Sequence, residues 1–332
     1  MHKQQTLRAF TAIGAAVIAA FGWSSAQAAD EPVASYPSKP IRMVVPFAPG
    51  GSSDVVARYI AQKLTEKYGQ QVVVDNRAGA AGNLGTDAVA KAAPDGYTLA
   101  LTTSGPLANN KFLYKNMPFD AEKNLAPVVL VGEIPLIIAA NSGLPAKDLK
   151  EMIALARAKP GSISIGSPGN GTIGHLALEL IRSTARIDMI HVPYKGDTPA
   201  MTDLLAGTIQ VLSAPITAFI PHVQAGKLRG LAVTSNKRFP ALPEVPTAIE
   251  QGVNVEATVW FAVVGPAGMP KPYVDKLNGE INRVIASDEG RAKLAQFGAV
   301  TGGGPADRLG SMMRSEAAKW KQVIETANVK MD

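Results

Sequence analysis

The sequence predicts an α/β protein of two domains, each a mainly parallel sheet flanked by helices, joined by two crossing strands. Three observations lead there. From Pro40 onward, short runs rich in Val, Ile and Leu alternate with helical patterns, the signature of parallel sheets covered on both faces. Two of the apolar runs end in glycine-rich turns that open amphipathic helices, at Val45-Pro-Phe-Ala-Pro-Gly-Gly-Ser-Ser-Asp54 and at Ile163-Ser-Ile-Gly-Ser-Pro-Gly-Asn-Gly-Thr-Ile-Gly-His175. Two further runs, Val128 to Ala140 and Val253 to Pro266, read as crossings between domains, the first broken by Gly132-Glu-Ile-Pro135, the second following the proline-rich stretch Phe239 to Pro246.

In order, strands are expected near 41–47, 71–75, 98–103, 127–131, 135–140, 162–166, 188–193, 209–213, 229–234 and 258–264. Helices are expected near 54–68, 86–93, 147–158, 172–184, 198–206, 217–225, 271–286, 289–296 and 306–327. With both crossings in place, residues 29–135 and 255–332 make the first domain and 136–254 the second. A two-stranded hinge of this kind permits rigid-body closure over a ligand. One large sheet with the two runs as central strands is the competing reading. Met312, Met313, Ala317, Trp320, Val323 and Ile324 form a helical stripe near the end of the chain, expected to pack on the first domain.

Residues 1–28 read as an export signal. Lys3 and Arg8 supply positive charge, Ala9 to Trp23 is apolar, and Ala26-Gln-Ala28 has the small-x-small form that a signal peptidase cuts. The rival, a retained anchor, needs roughly 20 apolar residues, more than this stretch offers. No other run is long enough to cross a bilayer. The chain has no cysteine, which excludes disulfides, cysteine metal sites and thiol nucleophiles, so stability rests on the core. Its 33 Lys and Arg against 27 Asp and Glu give +6, and without Lys3 and Arg8 the balance is 31 against 27, or +4. That bias is mild and no dense basic run accompanies it, which argues against nucleic acid and suits weak attraction of anionic solutes.

The turns carry the chemistry. A helix N-terminus presents unpaired N–H groups and the positive end of the macrodipole, so two such ends facing each other make a site for a small anion. In the first turn Ser52, Ser53 and Asp54 are all good N-caps, but capping accounts for only one of them. Asp54 would oppose an anion unless it turns into its own helix or a neighbouring loop. Gly169-Asn-Gly-Thr-Ile-Gly174 is a literal G-x-G-x-x-G after a strand, the dinucleotide fingerprint. Against that reading, the next strand ends in Tyr194-Lys-Gly196 rather than an acidic residue placed for a ribose. The same backbone geometry suits a carboxylate. His175 reads first as a helix-terminal residue bonding nearby backbone, and neither His191 nor His222 has a companion at metal-ligand spacing. No H-E-x-x-H, G-x-S-x-G or paired-carboxylate arrangement is present, so no catalytic residue, metal or cofactor is assigned. A third glycine-rich turn, Asn76 to Gly85, either brings Asn83 to the cleft edge or merely connects strand to helix.

The succession Tyr36-Pro-Ser-Lys-Pro-Ile-Arg42, Val45-Pro-Phe-Ala-Pro-Gly-Gly-Ser-Ser-Asp-Val-Val-Ala-Arg58, Val73-Val-Asp-Asn-Arg77, Ala92-Ala-Pro-Asp-Gly-Tyr-Thr98, His191-Val-Pro-Tyr-Lys-Gly196, Pro221-His-Val-Gln-Ala-Gly-Lys-Leu-Arg229 and Ala241-Leu-Pro-Glu-Val-Pro-Thr247 resembles the Bug family. These are the periplasmic solute receptors of tripartite tricarboxylate transporters. The resemblance covers essentially all of the chain after residue 28.

It implies a two-domain, type II-like periplasmic binding protein, monomeric and without a cofactor, closing on a carboxylate and handing it to inner-membrane transporter subunits. It also implies that the carboxylate is gripped by two loops, through backbone N–H groups, hydroxyls and ordered waters. One holds Phe47, Ala48, Gly50, Gly51, Ser52, Ser53 and Asp54, the other Ser167, Gly169, Asn170, Gly171, Thr172 and His175. The solute's far end would meet Thr103 and Ser104, then Ala214 and Thr217, then Trp260. Many relatives carry an acidic residue where this chain has Ala214, which favours dicarboxylates, aliphatic or aromatic such as terephthalate, over amino acids. An exported ligand sensor feeding a two-component system is the alternative, and an exported enzyme acting on a carboxylate a more distant one.

Overall fold

A computed structural model describes residues 32–326 and Val329 of the chain, so the expected export signal lies outside the described residues. The elements run β1 (Ile41–Val45), α1 (Ser52–Tyr68), β2 (Val72–Asn76), α2 (Asn83–Ala90), β3 (Thr98–Thr103), α3 (Ala121–Asn124), β4 (Leu125–Asn141), α4 (Leu149–Ala158), β5 (Ser164–Ser167) and α5 (Ile173–Ala185). They continue with β6 (Ile190–Pro193), α6 (Asp197–Ala206), β7 (Val211–Pro215), α7 (Ile220–Gln224), β8 (Leu228–Val233), β9 (Thr258–Pro266), α8 (Lys271–Ala286), α9 (Asp288–Gln296), β10 (Val300–Thr301) and α10 (Ala306–Thr326).

Hydrophobic patterning and capping explain most of these. Helix α1 buries Val56, Tyr59, Ile60 and Leu64 at helical spacing and stops at Gly69, whose left-handed φ of 67° closes the last turn. Asp148 caps α4 by accepting from the Glu151 N–H, and Thr172 caps α5 by accepting from the His175 N–H. The stripe on α10 buries Leu309, Met313, Ala317, Trp320 and Ile324, with the helix lying on β4, as its spacing predicts.

Two sheets share one strand. The first runs β2-β1-β3-β9-β4, parallel from β2 to β3 and then antiparallel where β9 enters between β3 and β4; β10 adds a short antiparallel pair at Gly132 and Glu133. The second runs β4-β7-β5-β6, with β8 also on β4; its β7, β5 and β6 are parallel. The apolar run expected as two strands is a single one of 17 residues. Leu125 to Pro135 pairs with β9, and Leu136 to Ala140 pairs with β7. Pro135, which has no N–H to donate, stands where β4 changes partners. Eight strands are therefore hydrogen-bonded into one path through β4, with β8 and β10 paired to β4 off that path, so β4 is both a crossing and a central strand.

The return crossing is fixed beside it. Thr234, fully buried, donates its N–H to the Leu136 carbonyl at 3.0 Å, accepts from the Leu136 N–H at 3.1 Å, and donates its hydroxyl to the Ala257 carbonyl at 2.5 Å. Thr217 supplies a third link by donating its hydroxyl to the Phe297 carbonyl.

Candidate functional site

The two sheets face each other across a cleft, and what lines it follows from where their strands end. Strand β1 runs into Phe47 and the loop that starts α1; β5 runs into Pro168 and the loop that starts α5; β6 leads through Tyr194-Lys-Gly196 into α6. The N-termini of α1, α5 and α6 converge on one cavity. Ser52 and Ser53 line it from α1, Thr172, Ile173 and Gly174 from α5, and Asp197 from α6. The rest of the lining is apolar but for Thr103: Phe47, Leu136, Pro168, Pro215, Val259 and Phe261. About 340 Å³ is free of atoms, open solvent included, but the centre of a water-sized sphere has only about 30 Å³ to occupy, so the walls stand nearly closed. Among the described residues no Lys, Arg or His lines this cavity. A more voluminous open groove lies behind the crossing strands around Phe239 and Val300, but no helix start lines it.

Of the expected site residues, Phe47, Ser52, Ser53, Thr103 and Thr172 line the cavity. Others shape its walls. Ala48 donates its N–H across the cleft to the Lys195 carbonyl at 3.3 Å. Gly50 has a left-handed φ of 78°, and Gly51 lies against the carboxylate of Asp197, where a Cβ would come within 3.5 Å. Asp54 turns away from the cavity: its carboxylate accepts from the Gly50 N–H at 2.9 Å, Arg58 Nε at 2.9 Å and Asn76 Nδ2 at 2.9 Å. Burial pushes that carboxyl up, but these hydrogen bonds and the Arg58 charge outweigh it and hold it below the ordinary carboxylate value. Asp54 thus braces the loop without opposing an anion.

The second loop is held from behind by histidines. Ser167 Oγ lies 2.7 Å from His191 Nε2, the Gly171 N–H donates to His175 Nδ1 at 3.1 Å, and the Thr172 hydroxyl donates to the Gly169 carbonyl at 2.7 Å. The two rings stack with centroids 4.3 Å apart. Burial first, then the Arg182 charge, lowers His175 to about 4; burial and the neighbouring His175 lower His191 to about 4. Both are neutral near pH 7. The Gly171 N–H, expected to reach the solute, is therefore committed to His175. Gly171 instead packs on the first sheet, its φ of 87° leaving an added Cβ 2.9 Å from Asn110 Oδ1 and 3.2 Å from the Tyr114 ring. The Asn170 carbonyl accepts from the Tyr114 hydroxyl at 2.8 Å, another bond across the cleft.

Of the five residues expected at the solute's far end, four stand outside the cavity lining. Ala214 and Trp260 are fully buried in core clusters, and Ser104 is fully buried, its hydroxyl without a hydrogen-bond partner among the described residues. Their chain neighbours Pro215, Val259 and Phe261 take the lining positions. Thr217 spends its hydroxyl on Phe297. Asn83 does not reach the cavity either; its Oδ1 accepts from Asn110 Nδ2 at 2.6 Å. The polar lining residue that sequence reading missed is Asp197, 7% exposed, whose signal was an acidic residue directly after Gly196 at a helix start. Among the described residues no group of three or more His, Asp or Glu could hold a metal, and no helix is long and apolar enough to cross a membrane.

Residues 56–329 match the family model described as tripartite tricarboxylate transporter family receptor. The chain is 39% identical over 320 residues to Protein BugT of Bordetella pertussis, covering 95% of this chain and 98% of that one. Its fold is similar to that of Rpa4515 of R. palustris, solved with adipate, at a TM-score of 0.87 and 36% identity over 89% of this chain and 99% of that one. It is similar also to MatC of Rhodopseudomonas palustris, solved with bound malate, at a TM-score of 0.83 and 29% identity over 87% and 100%. The chain belongs to the tripartite tricarboxylate transporter receptor family, to which the Bug proteins also belong, and is a two-domain solute-binding receptor rather than an enzyme.

Proposed function

We propose that the protein captures a small dicarboxylate with an apolar body, aliphatic or aromatic, in the periplasm and delivers it as a monomer to the membrane subunits of a tripartite transporter. In this reading the domains divide at 135/136 and 254/255 and close on the solute about the crossings at Leu136 and Thr234. The observation that carries it is the mixed lining: helix N-termini with Ser52, Ser53 and Thr172, together with the apolar Leu136, Pro215, Val259 and Phe261. The polar part suits a carboxylate. The apolar part suits a hydrocarbon body better than a hydroxylated one, since each unpaired buried hydroxyl costs about 1–3 kcal/mol. Of the solutes named for its relatives, adipate, with four methylenes, fits that wall better than malate. Terephthalate places a flat ring there.

Thermal-shift titration tests the reading, because a ligand that binds only the folded state raises the melting temperature. Adipate and terephthalate are expected to raise it at concentrations where malate and aspartate do not. A shift with aspartate and none with any diacid would reject the proposed class.

A further inference from the structure

The N-terminus of α1, where a solute carboxylate is expected, already holds one. Asp197 opens α6 on the facing wall, and its Oδ2 accepts from the Ser52 N–H at 3.0 Å and from the Ser52 hydroxyl at 2.5 Å. Those are the donors the α1 turn offers an anion. The carboxylate also lies at the N-terminus of its own helix, a favourable place for negative charge. The other bonds across the cleft are neutral: Ala48 to Lys195, Thr198 to Pro49 at 2.9 Å, and Tyr114 to Asn170. Asp197 supplies the one carboxyl among them, and it accepts two bonds at once from a single residue. Burial raises its carboxyl above the ordinary carboxylate value, and the bonds from Ser52 and from its own backbone offset that only in part.

We propose that Asp197 is an internal stand-in for the solute's carboxylate: it latches the ligand-free cleft shut at Ser52 and must let go before a solute takes its place. This rests on the reading of the cleft as a carboxylate site. Two consequences follow from the chemistry. The latched state cannot bind, so the apparent affinity falls in proportion to the fraction of molecules left unlatched. A solute carboxylate seated at Ser52 and Ser53 also meets a like charge, so Asp197 lowers affinity even after release.

The test compares the full chain with its Asp197→Ala and Asp197→Asn variants. Small-angle scattering of ligand-free Asp197→Ala is expected to give a larger radius of gyration than the wild type, with Asp197→Asn, which can still accept weakly from Ser52, between them. Calorimetry with adipate is expected to show binding to Asp197→Ala tighter by about tenfold or more. Weaker adipate binding to Asp197→Ala would overturn the proposal and make Asp197 a direct partner of the solute. An unchanged ligand-free radius would overturn it as well. If neither the wild type nor the variants bind any mono-, di- or tricarboxylate, the carboxylate reading fails, and the scattering comparison still decides the latch.

Discussion

The backbone N–H of Gly171 donates to Nδ1 of His175 at 3.1 Å, which places that ring's proton on Nε2, 3.6 Å from Glu179 Oε1. The α5 loop thus depends on a neutral histidine. Protonation of Nδ1 would remove the acceptor and set a cation beside Arg182 and the stacked His191.

Stability should therefore decline in acid. His175 and His191 titrate near 6.5 when exposed and at about 4 when folded. Between those values the unfolded chain binds protons that the folded chain does not, so stability is full above about 6.5 and falls as pH falls toward 4. The slope for the fully buried case is about 1.4 kcal/mol per pH unit per histidine. Calorimetric melting from pH 7 to 4.5 should show the loss, and a His175→Gln/His191→Gln protein, which does not titrate there, should show a flatter profile. Parallel profiles would mean that the pair is not responsible.

Gly171→Ala should weaken solute binding through closure. The left-handed backbone disfavours a side chain by about 1 kcal/mol, and the new methyl would press on Asn110 and Tyr114 of the facing wall. A loss of about tenfold or more in adipate affinity is expected, corresponding to about 1.4 kcal/mol. Calorimetry with adipate gives the affinity and scattering at saturation gives the closure. Full closure with unchanged affinity would show that the two walls do not meet here.

Thr234→Val removes the hydroxyl that ties Leu136 to Ala257 while keeping the shape. Leaving the buried partners unsatisfied costs about 1–3 kcal/mol. Urea unfolding should register the loss, and hydrogen exchange should speed up at the Leu136 amide more than elsewhere in β4. Uniform protection would place the restraint outside Thr234.

Ala214→Asp should damage the fold and not retune the ligand. Ala214 pairs with Ile137 inside the sheet and is fully buried, so a carboxylate there has no partner and costs on the order of 3 kcal/mol or more. A drop in melting temperature of the ligand-free protein is the expected readout. A stable variant whose preference among diacids and amino acids changed would put position 214 back in the cleft.

Much of the frame was legible because alternation and capping are local signals. Helix α5 starts where the pattern places it, whereas α1 starts two residues before the expected 54 with Gly51, rather than Ser52, Ser53 or Asp54, at its N-cap; both starts reach the cavity. The Gly105–Phe112 stretch was not, since Gly, Pro and Asn there make irregular turns whose burial depends on distant partners. Ala214 and Trp260 missed the lining by one residue each, because successive strand residues face opposite ways and register decides which face meets the cleft. Asp197 escaped for another reason. Its partner Ser52 is 145 residues away, and no spacing rule links them.

Strand β9 follows every strand but the two-residue β10, yet sits between β3 and β4, which are made long before it. A chain emerging N-terminus first can pair β4 to β8 among themselves while β3 still lacks its neighbour. Closing the first sheet then means joining residues about as far apart as Thr103 and Phe261, a long loop that slows assembly more than it weakens the product. Until then β3 and β4 each carry an unpaired edge, the feature by which partly assembled chains stick to one another. The order of synthesis leaves this protein most exposed to aggregation, and most dependent on holding factors, in the interval before Thr258–Pro266 appears.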